Sequence, residues 1–422
     1  MSSEQTANIL TECIERQGMM AVADNLSSHF PETAIVTVVV VCCFVATKST
    51  YEYIKKRNRK LDLIIVGSGP IGLTTAIIAA QHSRISKITL YESKPKQNLF
   101  LRPQQISLDK RSIHFLKSLM IDFNAIEGCW QNDRFYTRVG TFQEHLLEIL
   151  KKLDANLEIK FGCKFTGEIM RSISKNQNKK LGMIVVCDGV RGDTASLLGL
   201  SDEYILCSCN AYGAMASLDR MYHKHVAVPE TSKHNFKLDL SAFGSEYRQP
   251  ELSKPTFRFK IFGTYRHRYL TLSCPKNGSN VLRQLRITSD SSVIRHIFQE
   301  SFNSYRTKHE KKISDMEAIS MHCSRRMTEI KLSYRRENVA LIEDENLIVS
   351  VEGDATRTIN FHTGFEVNMG FRGLESIHQF ITDITMANKK DLLIETLTQK
   401  VRHSQKVVDE FLRNGLSIPI HG

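Results

Sequence analysis

The chain has one tryptophan in 422 residues, no Cys-x-x-Cys pair, no internal repeat and no low-complexity tract. It also lacks zinc-finger spacing, an RNP-like aromatic strand and an extended Lys/Arg tail. The formal charge of +12 therefore does not read as a nucleic-acid footprint. It points instead to phosphates, lipid headgroups or an acidic protein surface. Ten cysteines are scattered along the chain. Cys42–Cys43 sit in an apolar run, and Cys207-Ser-Cys209 is too tight for a metal pair, so reduced thiols are expected. The fifteen histidines, His223, His225, His234 and His267 among them, show no ligand spacing, and no metal site is expected. Trp130 is expected to pack.

Residues 1–33 carry Glu4, Glu12, Glu15, Asp24 and Glu32 against a single Arg16, which argues against an Arg-rich transit peptide. Ala34–Thr47 holds no charge. As a helix its fourteen residues would span about 21 Å, less than the roughly 30 Å of a bilayer core. Thr33 and Lys48–Tyr53 extend the run, with Lys48 able to snorkel and Tyr51 and Tyr53 suited to an interface. Acid precedes it; Lys48, Lys55, Lys56, Arg57, Arg59 and Lys60 follow. This asymmetry places the C-terminal side in the cytosol, as a single-pass anchor of the endoplasmic reticulum or another internal membrane. The other readings are a buried strand, a core helix or a signal peptide.

What is present is concentrated in Leu61–Glu92. Leu61–Val66 is almost wholly apolar, as a buried parallel strand requires. Gly67, Gly69 and Gly72 give G-x-G-x-x-G, with Pro70 and Ile71 inside the loop. Gly67 permits a tight turn, Gly69 lets a pyrophosphate approach the backbone, and Gly72 lets helix and strand pack closely. Leu73, Ala76, Ile77 and Ala80 recur at helical spacing. Lys87–Tyr91 reads as a second strand, and Glu92 falls where a carboxylate can hold an adenosine ribose.

Downstream, Asp109–Leu119 reads as helix and Trp130–Arg138 as polar and irregular. Thr141–Leu153 reads as an amphipathic helix capped by Thr141, with Glu144 completing a capping box. Gly182–Leu200 pairs a strand with Asp188-Gly189 and a small-residue helix start. From about Cys207 to Ile287 short strands alternate with polar turns, and Thr256–Phe262 has period two. Ser291–Arg306 and Asp315–Met321 read as helices. Two further strands lead into Glu352-Gly353-Asp354-Ala355 and then Gly364–Gly370, before a helical tail ending near Gly415.

These three segments, in this order, resemble the single-component FAD-dependent monooxygenases of the aromatic-hydroxylase type, including the MICAL-like branch. The resemblance covers roughly residues 61–200 and 338–375. It implies an α/β fold: an FAD-binding Rossmann-like, three-layer ββα domain with an inserted antiparallel β-sheet substrate domain and C-terminal helices. By the same resemblance Gly67, Gly69, Pro70, Ile71 and Gly72 cradle the FAD diphosphate, and Glu92 holds the ribose. Arg102 and Gln143 reach the cofactor, and Asp188 and Gly189 match a segment tied to FAD and the nicotinamide donor. Asp354 would bind the ribityl or diphosphate end, while Gly364 and Asn368 open a helix facing the flavin. The family commonly has a second glycine where Glu366 stands, and its usual proline is missing near Phe361 and His362. His362 is the one side chain suited to proton relay.

The implied chemistry is reduction of FAD by NADPH or NADH, followed by O₂ addition and oxygen transfer through a flavin hydroperoxide to an organic or protein substrate. Alternatives are an FAD-dependent reductase or dehydrogenase of an isoprenoid- or lipid-like substrate, and a low-turnover flavin-fold binding protein. The expected organisation is an acidic tail (1–33), an anchor (34–53), FAD-binding segments (54–200 and 336–375) around a substrate domain (201–335), and C-terminal helices (376–422).

Overall fold

Alternate residues of strand β1 (Leu61–Val66) enter two different cores: Leu61, Leu63 and Ile65 one, Ile64 and Val66 the other. A continuous apolar run is what a strand covered on both faces needs, each buried aliphatic side chain contributing about 1.5–3 kcal/mol. The computed structural model describes residues 39–48, 60–176, 181–221, 230–248, 250, 254–362, 364, 366–387 and 389–415.

After β1 come α1 (Pro70–Ala80), β2 (Ile85–Glu92), α2 (Lys96–Phe100), β3 (Gln105–Leu108), α3 (Lys110–Ser118), β4 (Gly128–Gln131) and β5 (Arg134–Arg138). Then follow α4 (Val139–Lys152), β6 (Leu157–Phe161), α5 (Gly167–Asn176), β7 (Gly182–Val186) and α6 (Thr194–Leu197). The inserted unit holds β8 (Tyr204–Asp219), β9 (Glu230–Lys237), β10 (Thr256–Gly263), β11 (His267–Pro275), α7 (Asn280–Ile287), α8 (Ser292–Tyr305), α9 (Asp315–Ser320), β12 (His322–Cys323) and β13 (Thr328–Arg335). The chain returns through β14 (Val339–Ile342), β15 (Leu347–Val351) and β16 (Arg357–Ile359) to α10 (Glu366–Leu374), α11 (Ile377–Met386) and α12 (Lys390–Gly415).

Three sheets result. The first has the order β14-β15-β7-β1-β2-β6, parallel except for β14. The second is antiparallel, β16-β13-β8-β11-β10-β9, with β12 beside β8. A small third sheet is β3-β5-β4. This is the expected α/β architecture, a parallel dinucleotide-type sheet with an antiparallel insertion. One strand crosses the expected boundary at residue 336: β16 lies beyond it yet pairs with β13 of the inserted sheet.

Three local expectations need correction. Residues 130–138 belong to a hairpin, because Asn132 and Asp133 both take the left-handed conformation (φ 50° and 57°) that a two-residue turn requires. Helix α4 starts at Val139 and Thr141 does not cap it. Val139 and Gly140 donate their N–H groups to the Gln104 and Arg102 carbonyls (2.8 and 3.3 Å), so the first turn is satisfied by the neighbouring chain. The 207–287 region is not all short strands: β8 runs for sixteen residues, and 280–287 is a helix with the Ser279 hydroxyl accepting the Leu282 N–H.

Residues 39–48 form a separate helix with Val39, Val40, Val41, Phe44 and Val45 exposed. Its ten residues span about 15 Å. The 1–33 tail and the remainder of the expected 34–53 anchor lie outside the described residues. Among the described residues no helix is long and apolar enough to cross a membrane. None of the nine described cysteines is in a disulfide with another described residue.

Candidate cofactor site

At the carboxyl end of β1 the chain turns at Gly67, whose N–H donates to the Tyr91 carbonyl (2.8 Å). Gly67 has φ +99°, and a Cβ there would stand 2.4 Å from the Cys187 carbonyl oxygen. A Cβ on Gly72 would stand 1.9 Å from the Gly67 oxygen. At Gly69, by contrast, a Cβ would meet nothing within 4 Å. Two of the three glycines are therefore required by the chain itself, and the third borders open space. Helix α1 begins there, with Pro70 in its first turn and Gly69 offering no side chain to its N–H groups. An anion approaching Gly69 would meet those N–H groups and the positive end of the helix.

The loop is held from both sides through Ser68, a residue the sequence pattern does not single out. Glu92, buried at the end of β2, accepts the Ser68 N–H at 2.9 Å and the Ser68 hydroxyl at 2.8 Å. Its other oxygen accepts the Lys94 N–H at 2.8 Å. The expected ribose-binding carboxylate thus also clamps the glycine loop. Gln143, fully buried on α4, donates from Nε2 to the Ser68 carbonyl (2.8 Å), and its Oε1 has no hydrogen-bond partner.

Asp188 follows β7 and is half-buried. Burial raises its pKa, while the Thr194 N–H, donated at 3.1 Å, works the other way. Its carboxylate fills the space beside Gly192, so the side chain serves its own turn. Gly189 borders open space, as Gly69 does.

Ile71, Gly353 and Gly370 meet at one point. A Cβ on Gly370 would stand 2.4 Å from the Ile71 side chain, and one on Gly353 3.0 Å. This contact brings the Gly353–Asp354 turn and helix α10 against the glycine loop. Asp354 is reachable by solvent yet enclosed by protein. Enclosure first, then the Glu366 carboxylate, pushes its pKa up to about 6, against the pull of Arg102 and Arg357. Behind it the buried Glu352 accepts from Lys400 at 2.6 Å, with Arg357 3.6 Å away. Burial alone would raise the Glu352 pKa; Lys400 and Arg357 outweigh it and hold the carboxyl below its usual value.

Asn368 is buried on α10, and both ends of its amide are used: Oδ1 accepts the Asp109 N–H (3.0 Å) and Nδ2 donates to the Ser107 carbonyl (2.8 Å). The Gly364 carbonyl accepts the Ser107 N–H (2.7 Å). These bonds splint β3 along α10, so the Asn368 side chain positions the site's frame. Gln105 extends the frame to the inserted sheet: its Oε1 accepts from Gly263 N–H (3.1 Å) and the Thr231 hydroxyl (3.2 Å).

His362 lies where that sheet meets this frame. Its backbone N–H donates to Met215 Sδ (3.1 Å), and its Nδ1 is 3.9 Å from Glu366 Oε1. Its ring lies 5.6 Å from that of Phe262 and 6.1 Å from that of Tyr269. Among the described residues no cluster could hold a metal ion. An apolar groove between β14 and α12, lined by Val339, Leu341, Ile394 and Val401, shares no residue with the site.

The structure thus gathers Gly67–Gly72, Glu92, Gln143, Asp188, Asp354, Gly364 and Asn368 around the ends of β1, β2, β7 and β15, and places Arg102 within electrostatic reach of Asp354. Ser68 and Lys400 are additions that no sequence motif marks.

No family model and no curated protein matches the chain. Solved structures do. Tetracycline destructase Tet(55) aligns with a TM-score of 0.49 at 11% identity, over 86% of this chain and 90% of that one. The p-nitrophenol 4-monooxygenase PnpA from Pseudomonas putida DLL-E4 aligns at 0.47 and 12%, over 84% and 89%. CtdE, solved with FAD and a substrate, aligns at 0.46 and 12%, over 83% and 87%. At that distance the likeness identifies neither an activity nor a substrate for this chain.

Proposed function

We propose that the chain is an FAD-dependent oxidoreductase, acting as a monooxygenase that uses NADPH or NADH and O₂. The observation that carries this reading is the contrast within one loop: Gly67 and Gly72 are closed by the chain, while Gly69 opens at a helix N-terminus. The unpartnered Gln143 Oε1 beside that loop, and the enclosed Asp354 across from it, fit the same occupant. FAD, when bound, supplies two-electron redox chemistry and activation of O₂.

The chain's own contribution is binding, charge and shielding. Gly69 and the α1 N-terminus would receive the diphosphate, with the cationic Arg102 nearby. Asp354 would accept from ribityl hydroxyls. Glu92 and Gln143 keep the loop from collapsing into the open space. The rings of Phe262 and Tyr269 border His362, whose Nδ1 lies 3.9 Å from Glu366 Oε1. Glu366 also favours a second reading, a dehydrogenase or reductase of an apolar substrate. A carboxylate in the first turn of α10 disfavours negative charge in the space it faces.

The 34–53 run is proposed as a membrane anchor with residues 60–422 on the cytosolic side. The exposed apolar surface of helix 39–48 and the basic residues after it support this. Sedimentation of the full chain with membranes after alkaline washing would support it; release would overturn it.

The test of the activity is to purify the full chain in detergent, add FAD, and follow NADPH, NADH and O₂ consumption. Bound flavin reduced by a nicotinamide and reoxidised by O₂ is expected. Reoxidation only by an organic acceptor favours the second reading. A chain that binds no FAD overturns both.

A further inference from the structure

Helix α1 opens at Gly69, and the turn that carries the chain from it to β2 is built around one histidine. His82 is 6% exposed. Its N–H donates to the Ala79 carbonyl and its carbonyl accepts the Ile85 N–H, both at 3.1 Å. Both ring nitrogens are used as well. Nδ1 accepts the Arg84 N–H at 3.1 Å, and Nε2 lies 3.0 Å from the Thr382 hydroxyl on α11. That hydroxyl donates its own proton to the His378 carbonyl (3.1 Å), so its oxygen accepts from His82 and Nε2 carries the hydrogen. The His378 ring completes the contact, 4.4 Å from the His82 ring between centroids.

The Nε2 bond survives protonation of the ring; the Nδ1 bond does not. A second ring proton has only Nδ1 to occupy, where it would point at the Arg84 N–H, donor against donor. The charged groups that act on His82 are of one sign: His378 from α11, when protonated, and Arg84 from its own turn. On the α3 side the neighbouring contact is neutral, with Gln81 Nε2 donating to the Leu119 carbonyl at 3.3 Å. An imidazolium in this place therefore costs the Arg84 bond and gains no counter-charge.

We propose that His82, Thr382 and His378 form an acid-released latch between α1 and α11, closed while His82 is neutral and opened at the 82–84 turn when it is protonated. Burial first, then His378, holds the His82 pKa below its ordinary value; Arg84 adds to this, and the His378 carbonyl works against it. The open turn therefore takes up this proton at a higher pH than the closed one. The latch is at full strength above about pH 6.5, the value of an unperturbed histidine, and weakens as pH falls below it toward the lowered value. Because α1 begins at Gly69, the device acts on the helix that carries the candidate cofactor site, whatever that site binds.

The test is amide hydrogen exchange of the full chain in detergent with added FAD, from about pH 7.5 to about pH 5, corrected for the intrinsic pH dependence of exchange. Protection of the Arg84 N–H is expected to fall as pH drops below about 6.5, by up to about tenfold per unit, while residues 61–66 of β1 keep theirs. His82→Asn, whose side-chain oxygen can accept the Arg84 N–H without titrating, should make that protection independent of pH. His378→Gln removes a neighbouring cation and should make the fall smaller. Flat Arg84 protection in the wild type, or a fall that persists in His82→Asn, would overturn the latch. Should His82→Asn lose the β1 protection and so fail to fold, an unchanged fall in His378→Gln would overturn it instead.

Discussion

Gly72 and Gly67 face each other across a single turn so closely that a Cβ at 72 would stand 1.9 Å from the Gly67 carbonyl oxygen. That approach seats α1 on β1, and it leaves Gly69, between them, as the glycine with free space in front of it. The two positions separate folding from ligand binding.

Gly72→Ala is expected to disrupt the turn and lower the unfolding midpoint, as a backbone clash must be relieved by moving strand or helix. Gly69→Val is expected to fold with a midpoint close to the wild type, because its backbone is extended and its Cβ meets no atom. It should nonetheless weaken FAD binding by about tenfold or more, a loss of roughly 1.4 kcal/mol. Thermal melts and flavin titration of both variants check this. Equal FAD affinity in Gly69→Val would place the cofactor elsewhere.

Lys400→Met removes the closest counter-charge of the buried Glu352. Breaking a buried pair on one side costs about 3–5 kcal/mol, and the lower end applies because Arg357 remains near. Adding Glu352→Gln should recover part of the loss. Urea denaturation of the two single variants and the double variant measures the coupling.

Lys260 should lower stability where it is charged. Its folded pKa of about 7 lies below the unfolded value of about 10.4, so the unfolded chain binds more protons between them and wild-type stability rises across that interval. Lys260→Met is therefore expected to be more stable than wild type by about 2 kcal/mol or more near neutral pH, with the advantage shrinking toward about pH 10. Denaturation midpoints across this range test it.

Asp354 has the opposite charge and the opposite slope. Its folded pKa of about 6 lies above the unfolded value of about 3.9, so the folded chain holds the extra proton between them. Stability falls as pH rises from about 4 to about 6 and levels off beyond. In Asp354→Asn that component should disappear, and the variant should gain on wild type over the same interval.

The parallel half of the fold was legible because its signals are local. An apolar strand, three glycines at fixed spacing and a helical stripe lie within thirty-two residues, Leu61–Glu92. The order of the Asp188–Gly189 and Gly353–Asp354 segments likewise reports which strands end at the site. What the sequence could not show depends on contacts far apart in the chain. Lys400 reaches Glu352 from the last helix, and Gln143 reaches Ser68 from another layer. The splinting of β3 by Asn368 could not be read either, because that role depends on where β3 lies. The start of α4 is hidden from a local pattern for the same reason: its first N–H groups are capped by the Arg102 and Gln104 carbonyls instead of by Thr141.

The most direct measurement is the visible absorbance spectrum of the purified full chain after incubation with FAD and removal of free cofactor. The expected result is a yellow protein with about one flavin per chain, markedly depleted in Gly69→Val. A colourless wild-type chain that is folded by circular dichroism would contradict the account.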